Sequence, residues 1–480
     1  MKFSSDRYPS SLTPLISLEN KVRNLNINPL YVLVLILLIT AIFAYYPHHG
    51  YDYPMHRDEW IDLAISKAII DAESINYVEP FYGNRVVQHD LEIGLRLWVS
   101  ELILASDMNE YTLMKYLPIF MSCFIVFSAF LFGSRLGYGL EAAFFTALIP
   151  TTIRLLGPAF VVAVSLAVAF MLLAAYIAFK QNKKKVDYAV LFIFLIFTFL
   201  THPPTAIATY ILLILYVGIY RDVRVLTVLL IPVVMFLFYF PQISSAMGDP
   251  ARLLERLSFD TFVEFGSPAK EFGYIPAILA ILGVIRSRRT DVPVVAALLL
   301  LLILNNVYSV LGTIPLLMPE RNYFYIMVLT SIVAGYGLYT IRSKTILAAL
   351  VIAVVALGFS AQSHANEEYY YIVNDQEFED FVYIKENVPG DKVLLRPWEG
   401  FAFPAITGKH VYVYPSSPSE GVKERSDKAY TFLEYKCKDT SFLKKNNIDI
   451  VYAHDGCQNS ELKEVSDRIY VLNDTAEEKR

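Results

Sequence analysis

The stretch His48–Ile70, "HHGYDYPMHRDEWIDLAISKAII", gathers His48, His49, Asp52, His56, Arg57, Asp58, Glu59 and Asp62 directly after the first long apolar run. Carboxylates, imidazoles and a guanidinium are groups that move protons and hold anions. Together they have the makings of a reaction centre on a membrane surface. A solvated loop whose charges mark the end of a span would have the same composition. Asp58 and Glu59 also begin a helical pattern, where the helix dipole favours negative charge, so a first turn on a surface helix accounts for them without chemistry. Which reading holds depends on the elements that carry the loop and on the side of the membrane it faces.

The chain of 480 residues is 55% hydrophobic and only 18% charged, with a mean hydropathy of +0.44. A soluble protein of this size carries about a quarter charged residues, so the deficit indicates membrane burial. Runs long enough to cross ~30 Å of hydrocarbon recur through the first 360 residues. The reading gives about eleven transmembrane helices: 29–46, 111–132, 137–151, 158–180, 186–201, 203–220, 225–241, 272–285, 291–311, 321–341 and 345–360. Residues 1–28 are polar and precede a run too long for a signal h-region, so they read as a cytoplasmic segment rather than a cleaved signal. With that end inside, every alternate connection is basic: Arg135; Lys180 with Lys183, Lys184 and Lys185; Arg221 and Arg224; Arg286, Arg288 and Arg289; Arg342 and Lys344. Lys and Arg collect on the cytoplasmic side, so the frame is self-consistent. It places the loop 47–110 and residues 361–480 outside a plasma membrane. The acidic excess of the C-terminal part excludes a nucleic-acid-binding surface.

The fold class expected is therefore mainly α, a polytopic membrane domain over 29–360 with a small external α/β domain over 361–480. In the loop, Trp60, Leu63, Ala64, Lys67, Ala68 and Ile70 follow helical spacing, as do Ile93, Leu97 and Leu104. Both segments read as amphipathic helices along the interface, and 242–271 reads the same way. In the C-terminal part, residues 376–388 make an amphipathic helix that buries Phe378, Phe381, Val382 and Ile384 and exposes Glu379 and Lys385. "KVLLRP", "HVYVYP" and "IDIVYA" are strand-like, and "TSFLKKNNID" is helical. Cys437 and Cys457 are spaced compatibly with one disulfide in an oxidising compartment, and equally with two free thiols. Cys123 lies in an apolar run, as packing.

A long first external loop with an acidic pair soon after the first span resembles the GT-C superfamily of integral-membrane glycosyltransferases. That superfamily includes protein O-mannosyltransferases, aminoarabinose transferases of lipid A and oligosaccharyltransferase catalytic subunits. "LMPERNYFYIMVLTSIVAGYGL" (Leu317–Leu338) is similar to the Arg-aromatic start and small-residue tail of a late span in these enzymes, and "LTHPPTA" (Leu200–Ala206) to a His-Pro turn of prokaryotic members. "RPWEGFAFPAITGKHVYVYP" looks like their external domains. The resemblance implies that Asp58, with Glu59 beside it, is the essential carboxylate, acting as general base on an acceptor hydroxyl or helping to hold a metal. Two departures stand out. Pro397-Trp398-Glu399-Gly400 replaces the Trp-Trp-Asp-Tyr-Gly motif of oligosaccharyltransferases. The second external loop, "TTIRLLG", has no carboxylate to complete a divalent-metal site, so no cofactor is required by the sequence.

Sugar nucleotides are made in the cytoplasm, so an external site needs a donor that crosses the bilayer. The resemblance supplies a polyprenyl-phosphate-linked sugar, with membrane lipids around it and a lipid, glycan or protein acceptor. Positive charge must then stabilise the departing phosphate. Arg321, beside Glu320 at a membrane edge, is the leading residue for that role, because a guanidinium there is costly. Arg57, Arg85 and Arg154 stand behind it. His56 and His202 complete the substrate-binding set, although a His before two prolines also reads as a turn residue. A transporter or lipid-linked saccharide flippase is the alternative, but no inverted repeat or matched pair of broken spans is visible. A non-catalytic assembly subunit is the third reading.

Overall fold

The computed structural model describes residues 28–88, 90–151, 157–239, 268–311, 319–341, 343, 345, 348–353, 355–356, 371–415 and 421–473. The chain divides into two compact units. One comprises residues 1–47, 119–159 and 164–365, the other residues 48–118, 160–163 and 366–480.

The first unit is helical. Its elements include Pro29–Tyr45, Gly139–Thr146, Lys185–Thr201, Pro203–Tyr220, Val223–Tyr239, Tyr274–Ile285, Val292–Leu311 and Pro319–Tyr339, together with most of Glu110–Leu136 and Ala163–Ala178. Helix is thus found in every expected span, in 345–360 at each residue that is described, while 240–267 lies outside the described residues. Among the described residues, three helices are long and apolar enough to cross a membrane: Pro29–His48 (counting one further turn), Glu110–Leu136 and Pro203–Tyr220. Large apolar side chains point outward, with Phe238 82% and Ile285 76% exposed. Such a surface is stable only against lipid or another apolar partner.

The expected span 137–151 is corrected. Its helix, Gly139–Thr146, has 8 residues, about 12 Å at 1.5 Å per residue, and is buried. Irregular backbone follows it, held by side chains: Thr151 Oγ1 accepts from Ala159 N–H (2.9 Å), Ser122 Oγ donates to the Pro158 carbonyl (2.6 Å) and Ser165 Oγ to that of Gly157 (3.4 Å). Non-helical chain persists at membrane depth only when its polar groups are met by protein in this way. Helix Pro319–Tyr339 packs closely on Tyr274–Ile285. A Cβ at Gly337 would lie 2.0 Å from the Leu279 carbonyl oxygen, and one at Gly283 2.2 Å from that of Val333, which is why the small-residue tail "AGYGL" is needed there.

In the second unit the loop contributes helices Arg57–Ala72 and Ile93–Ser106 and a hairpin of β1 (Tyr77–Val78) and β2 (Val86–Val87). The C-terminal part forms a mixed sheet of β3 (Lys392–Leu394), β4 (His410–Val411), β5 (Ile450–Tyr452), β6 (Leu462–Ser466) and β7 (Ile469–Leu472). Its order is β4-β3-β5-β7-β6, parallel around β3 and antiparallel around β7. Helix Asp375–Asn387 begins at an Asn374–Glu377 capping box. It buries Phe381 and Ile384 and exposes Glu379 and Lys385, while Phe378 and Val382 are only half-buried. Both line an open cleft, in which Phe378 stacks on Tyr53 (centroids 4.4 Å apart) and meets the edge of Tyr111 (5.0 Å). Cys437 and Cys457 are joined in a disulfide. Loop and C-terminal part share one body: Tyr51 Oη donates to the Val373 carbonyl (2.7 Å), Val411 N–H to that of Phe81 (2.7 Å), and Lys67 Nζ to that of Ala405 (2.7 Å).

Candidate active site

Helix Arg57–Ala72 starts where it does because His56 and Glu59 form a capping box. His56 Nδ1 accepts from Asp58 N–H (3.1 Å), and its ring stacks on Phe160 (5.2 Å). Glu59 has no exposed surface. Its Oε2 accepts from the N–H groups of Met55 (2.8 Å) and His56 (2.9 Å), and its Oε1 from that of Val161 (2.7 Å). Burial pushes this carboxyl up to about 7 against the pull of those three bonds. Glu59 therefore positions the loop, both its oxygens accepting from main chain.

Asp58 differs. Its side chain is 26% exposed, with Arg57 Nε 3.5 Å from Oδ1 and His56 Nδ1 3.7 Å from Oδ2. Of the acidic pair, it is the carboxylate with solvent access.

The two loop helices also turn polar residues inward, against each other. Glu59, Asp62 and Ser66 lie along one side of the first helix and are buried. Arg96 of the second helix donates from Nε to Asp62 (3.0 Å), from Nη2 to Glu92 (3.3 Å) and from Nη1 to Asp90, which also accepts from Tyr77 Oη (2.7 Å). Ser66 Oγ donates to the Arg96 carbonyl (3.1 Å) and Ser100 Oγ to that of Ser66 (3.0 Å). Burial raises the Asp62 carboxyl. Burial also pushes Asp90 upward, but the charge and hydrogen bonds of Arg96 outweigh it and hold that carboxyl below its usual range.

A cleft of about 550 Å3 within the same unit is lined by Asp52, Tyr53, Tyr111, Lys115, Phe378 and Lys385, among others. Lys115 pairs with Asp52 at 2.5 Å. Aromatic faces beside charged groups suit a polar, ring-containing molecule. Arg85 is exposed next to the β1–β2 turn. Arg154 and the side chain of Glu320 lie outside the described residues.

In the first unit, His202 caps helix Pro203–Tyr220. Its Nδ1 lies 3.2 Å from Thr205 N–H, which donates to it, and 2.7 Å from Thr205 Oγ1. Tyr325 Oη completes the cluster at 2.9 Å from Thr205 Oγ1 and 3.3 Å from His202 Nδ1. Arg321 is half-buried one turn before Tyr325 on the same helix, and residues four apart share a face. Sequence reading marked Asp62 only as one acid of the loop cluster and missed Asp90 and Arg96, whose positions carry no spacing signal. It also missed Glu377 and His454, which approach Glu399 closely enough to share an ion. They are the one such His/carboxylate group among the described residues.

No protein-family model and no curated protein matches the sequence. Solved structures do. The archaeal oligosaccharyltransferase AglB from Archaeoglobus fulgidus, in complex with an inhibitory peptide and a dolichol-phosphate, is 12% identical with a TM-score of 0.59, over 91% of this chain and 70% of that one. ArnT from Cupriavidus metallidurans bound to undecaprenyl phosphate is 10% identical with a TM-score of 0.57, over 92% and 97%. The mycobacterial arabinofuranosyltransferase AftD is 11% identical with a TM-score of 0.58, over 90% and 37%. All three are GT-C glycosyltransferases, and this chain has a GT-C-like fold.

Proposed function

We propose that the protein is a multi-pass membrane glycosyltransferase that moves a sugar from a polyprenyl-phosphate-linked donor to an acceptor on the external face. The observation that carries this reading is the fold, shared over nine-tenths of the chain with an enzyme holding undecaprenyl phosphate. The local geometry agrees with it: Asp58 is the accessible carboxylate of a loop that Glu59 and Arg96 make rigid.

In the reaction, an acceptor hydroxyl gives its proton to Asp58 as its oxygen bonds to the anomeric carbon. The bond from that carbon to the phosphate oxygen breaks, and its electron pair leaves with the polyprenyl phosphate, stabilised by Arg321. A single displacement inverts the anomeric configuration. Arg suits the phosphate because its planar fork donates two parallel hydrogen bonds. The cleft beside Asp52 and Tyr53 offers the acceptor aromatic faces and charge.

The test is sugar transfer from a polyprenyl-phosphate donor in liposomes at matched protein levels. Asp58→Asn keeps shape and should lose about 10²–10⁴ in rate, the usual span for a general base. Arg321→Lys keeps the charge without the fork and should lose less. Wild-type transfer by Asp58→Asn would remove the base from this reading.

A further inference from the structure

Glu377, Glu399 and His454 come from three separate stretches that sugar transfer, as derived above, does not use. Glu377 lies in the first turn of helix Asp375–Asn387, Glu399 opens the turn Glu399–Phe401, and His454 follows β5. One donor atom from each lies within 4.8 Å of the others. His454 Nε2 is 2.5 Å from Glu399 Oε1 and 3.7 Å from Glu377 Oε1. The other oxygen of Glu377 is spent on Asn374 N–H (2.9 Å), so Oε1 is the one turned to the imidazole.

Glu399 is the informative member. Its side chain is 6% exposed, and its second oxygen is buried without a hydrogen-bond donor. A buried carboxylate oxygen left unpaired is costly, and a proton or a cation relieves that cost. Burial raises this carboxyl even with His454 bonded to it. The basic residue nearest in sequence, Arg396, is half-exposed and directed at Asp455 (3.9 Å). Two carboxylates thus face one imidazole.

We propose that Glu377, Glu399 and His454 bind a divalent transition-metal ion of the Zn2+ kind. One imidazole nitrogen with carboxylate oxygens is a donor set that Zn2+ accepts, at about 2.0–2.2 Å from each. The side chains of Glu377 and His454, 13% and 15% exposed, leave a coordination position for water. The ion acts as a staple. It joins the start of helix Asp375–Asn387, the exit of β5 and the Trp398 turn. Tyr51 of the loop is hydrogen-bonded to Val373, immediately before that helix, so the staple also fixes the anchor of the segment that leads to Asp58. The site is separate from the transfer chemistry and does not depend on it.

The test uses the full chain in detergent, stripped with EDTA and dialysed against Zn2+. The wild type is expected to retain about one ion per chain by elemental analysis and to melt above its stripped form, since a ligand that binds only the native state stabilises it. Glu399→Gln and His454→Ala should each weaken Zn2+ half-saturation at least tenfold and abolish the melting shift. His454→Gln replaces the alanine variant if that elutes as an aggregate. Asp58→Asn should keep the ion, which separates this site from any metal at the reaction centre. No ion above the buffer blank, equal retention by the variants, or loss of the ion from Asp58→Asn alone would overturn the assignment.

Discussion

At the scale of single residues, Asp58 and Glu59 are adjacent acids with opposite environments. Glu59 sits in a shell of three main-chain donors, and an amide there would turn an N–H toward one of them. Glu59→Gln should therefore cost about 1–3 kcal/mol, the penalty of a buried donor left unsatisfied. The pH dependence has a definite sign. Burial lifts the folded carboxyl from the ordinary Glu value of about 4.3 to about 7. Between those values the folded state holds a proton that the unfolded state has released. Stability then falls as pH rises across that window, by about 1.4 kcal/mol per pH step, and is level above it. Thermal unfolding in detergent at pH 5 and pH 7 should show the gap between wild type and Glu59→Gln narrowing at the higher pH. A gap that widens would contradict the buried environment. The sequence marked the pair but could not divide its roles, because the third donor, Val161, lies 102 residues away.

At the scale of elements, helix Arg57–Ala72 is held to helix Ile93–Ser106 by one guanidinium shared among Asp62, Asp90 and Glu92. Removing one partner of a buried ionic group strands the others, at about 3–5 kcal/mol. Arg96→Met should cost that much, and Arg96→Lys less, since an ammonium can still reach one carboxylate. Limited proteolysis of the loop, followed with urea, reads the difference, and equal resistance of wild type and Arg96→Met would count against the hub. Periodicity revealed both helices but assigned their polar residues to water. Hydrophobic pattern has no means of announcing that Asp62 and Ser66 meet a matching Arg96 and Ser100 on another helix. The same limit applies to the C-terminal part. Helix Val422–Glu434 and the β6–β7 hairpin went unread. The hairpin turns through Asp467-Arg468, with Arg468 at φ 65°, without the glycine that usually marks such a turn.

At the scale of the whole molecule, the basic connections of the first unit meet one another. Arg288 Nη2 donates to the Leu136 carbonyl (2.5 Å), Lys183 pairs with Asp222 (2.8 Å), Tyr220 Oη donates to the Arg289 carbonyl (3.0 Å) and Arg286 Nη1 to that of Thr340 (3.3 Å). Five connections that the charge count assigned to the cytoplasm therefore gather at one end of the helices. Arg321 lies in the first turn of the helix that ends beside Thr340, about 27 Å of rise from that end. Such clustering is what alternate crossing of a membrane produces, and the positive-inside rule gives it a direction. The disulfide between Cys437 and Cys457 is of a kind that persists in oxidising compartments, which makes the side of the C-terminal part testable. A reporter inserted after Lys185 should then be cytoplasmic, and one fused after Arg480 external. In intact cells an impermeant maleimide should label Cys437 and Cys457 only after a reductant has opened the bond. Labelling without reductant would argue against an exported, bridged C-terminal part, and both reporters on one side would overturn the orientation that puts Asp58 outside.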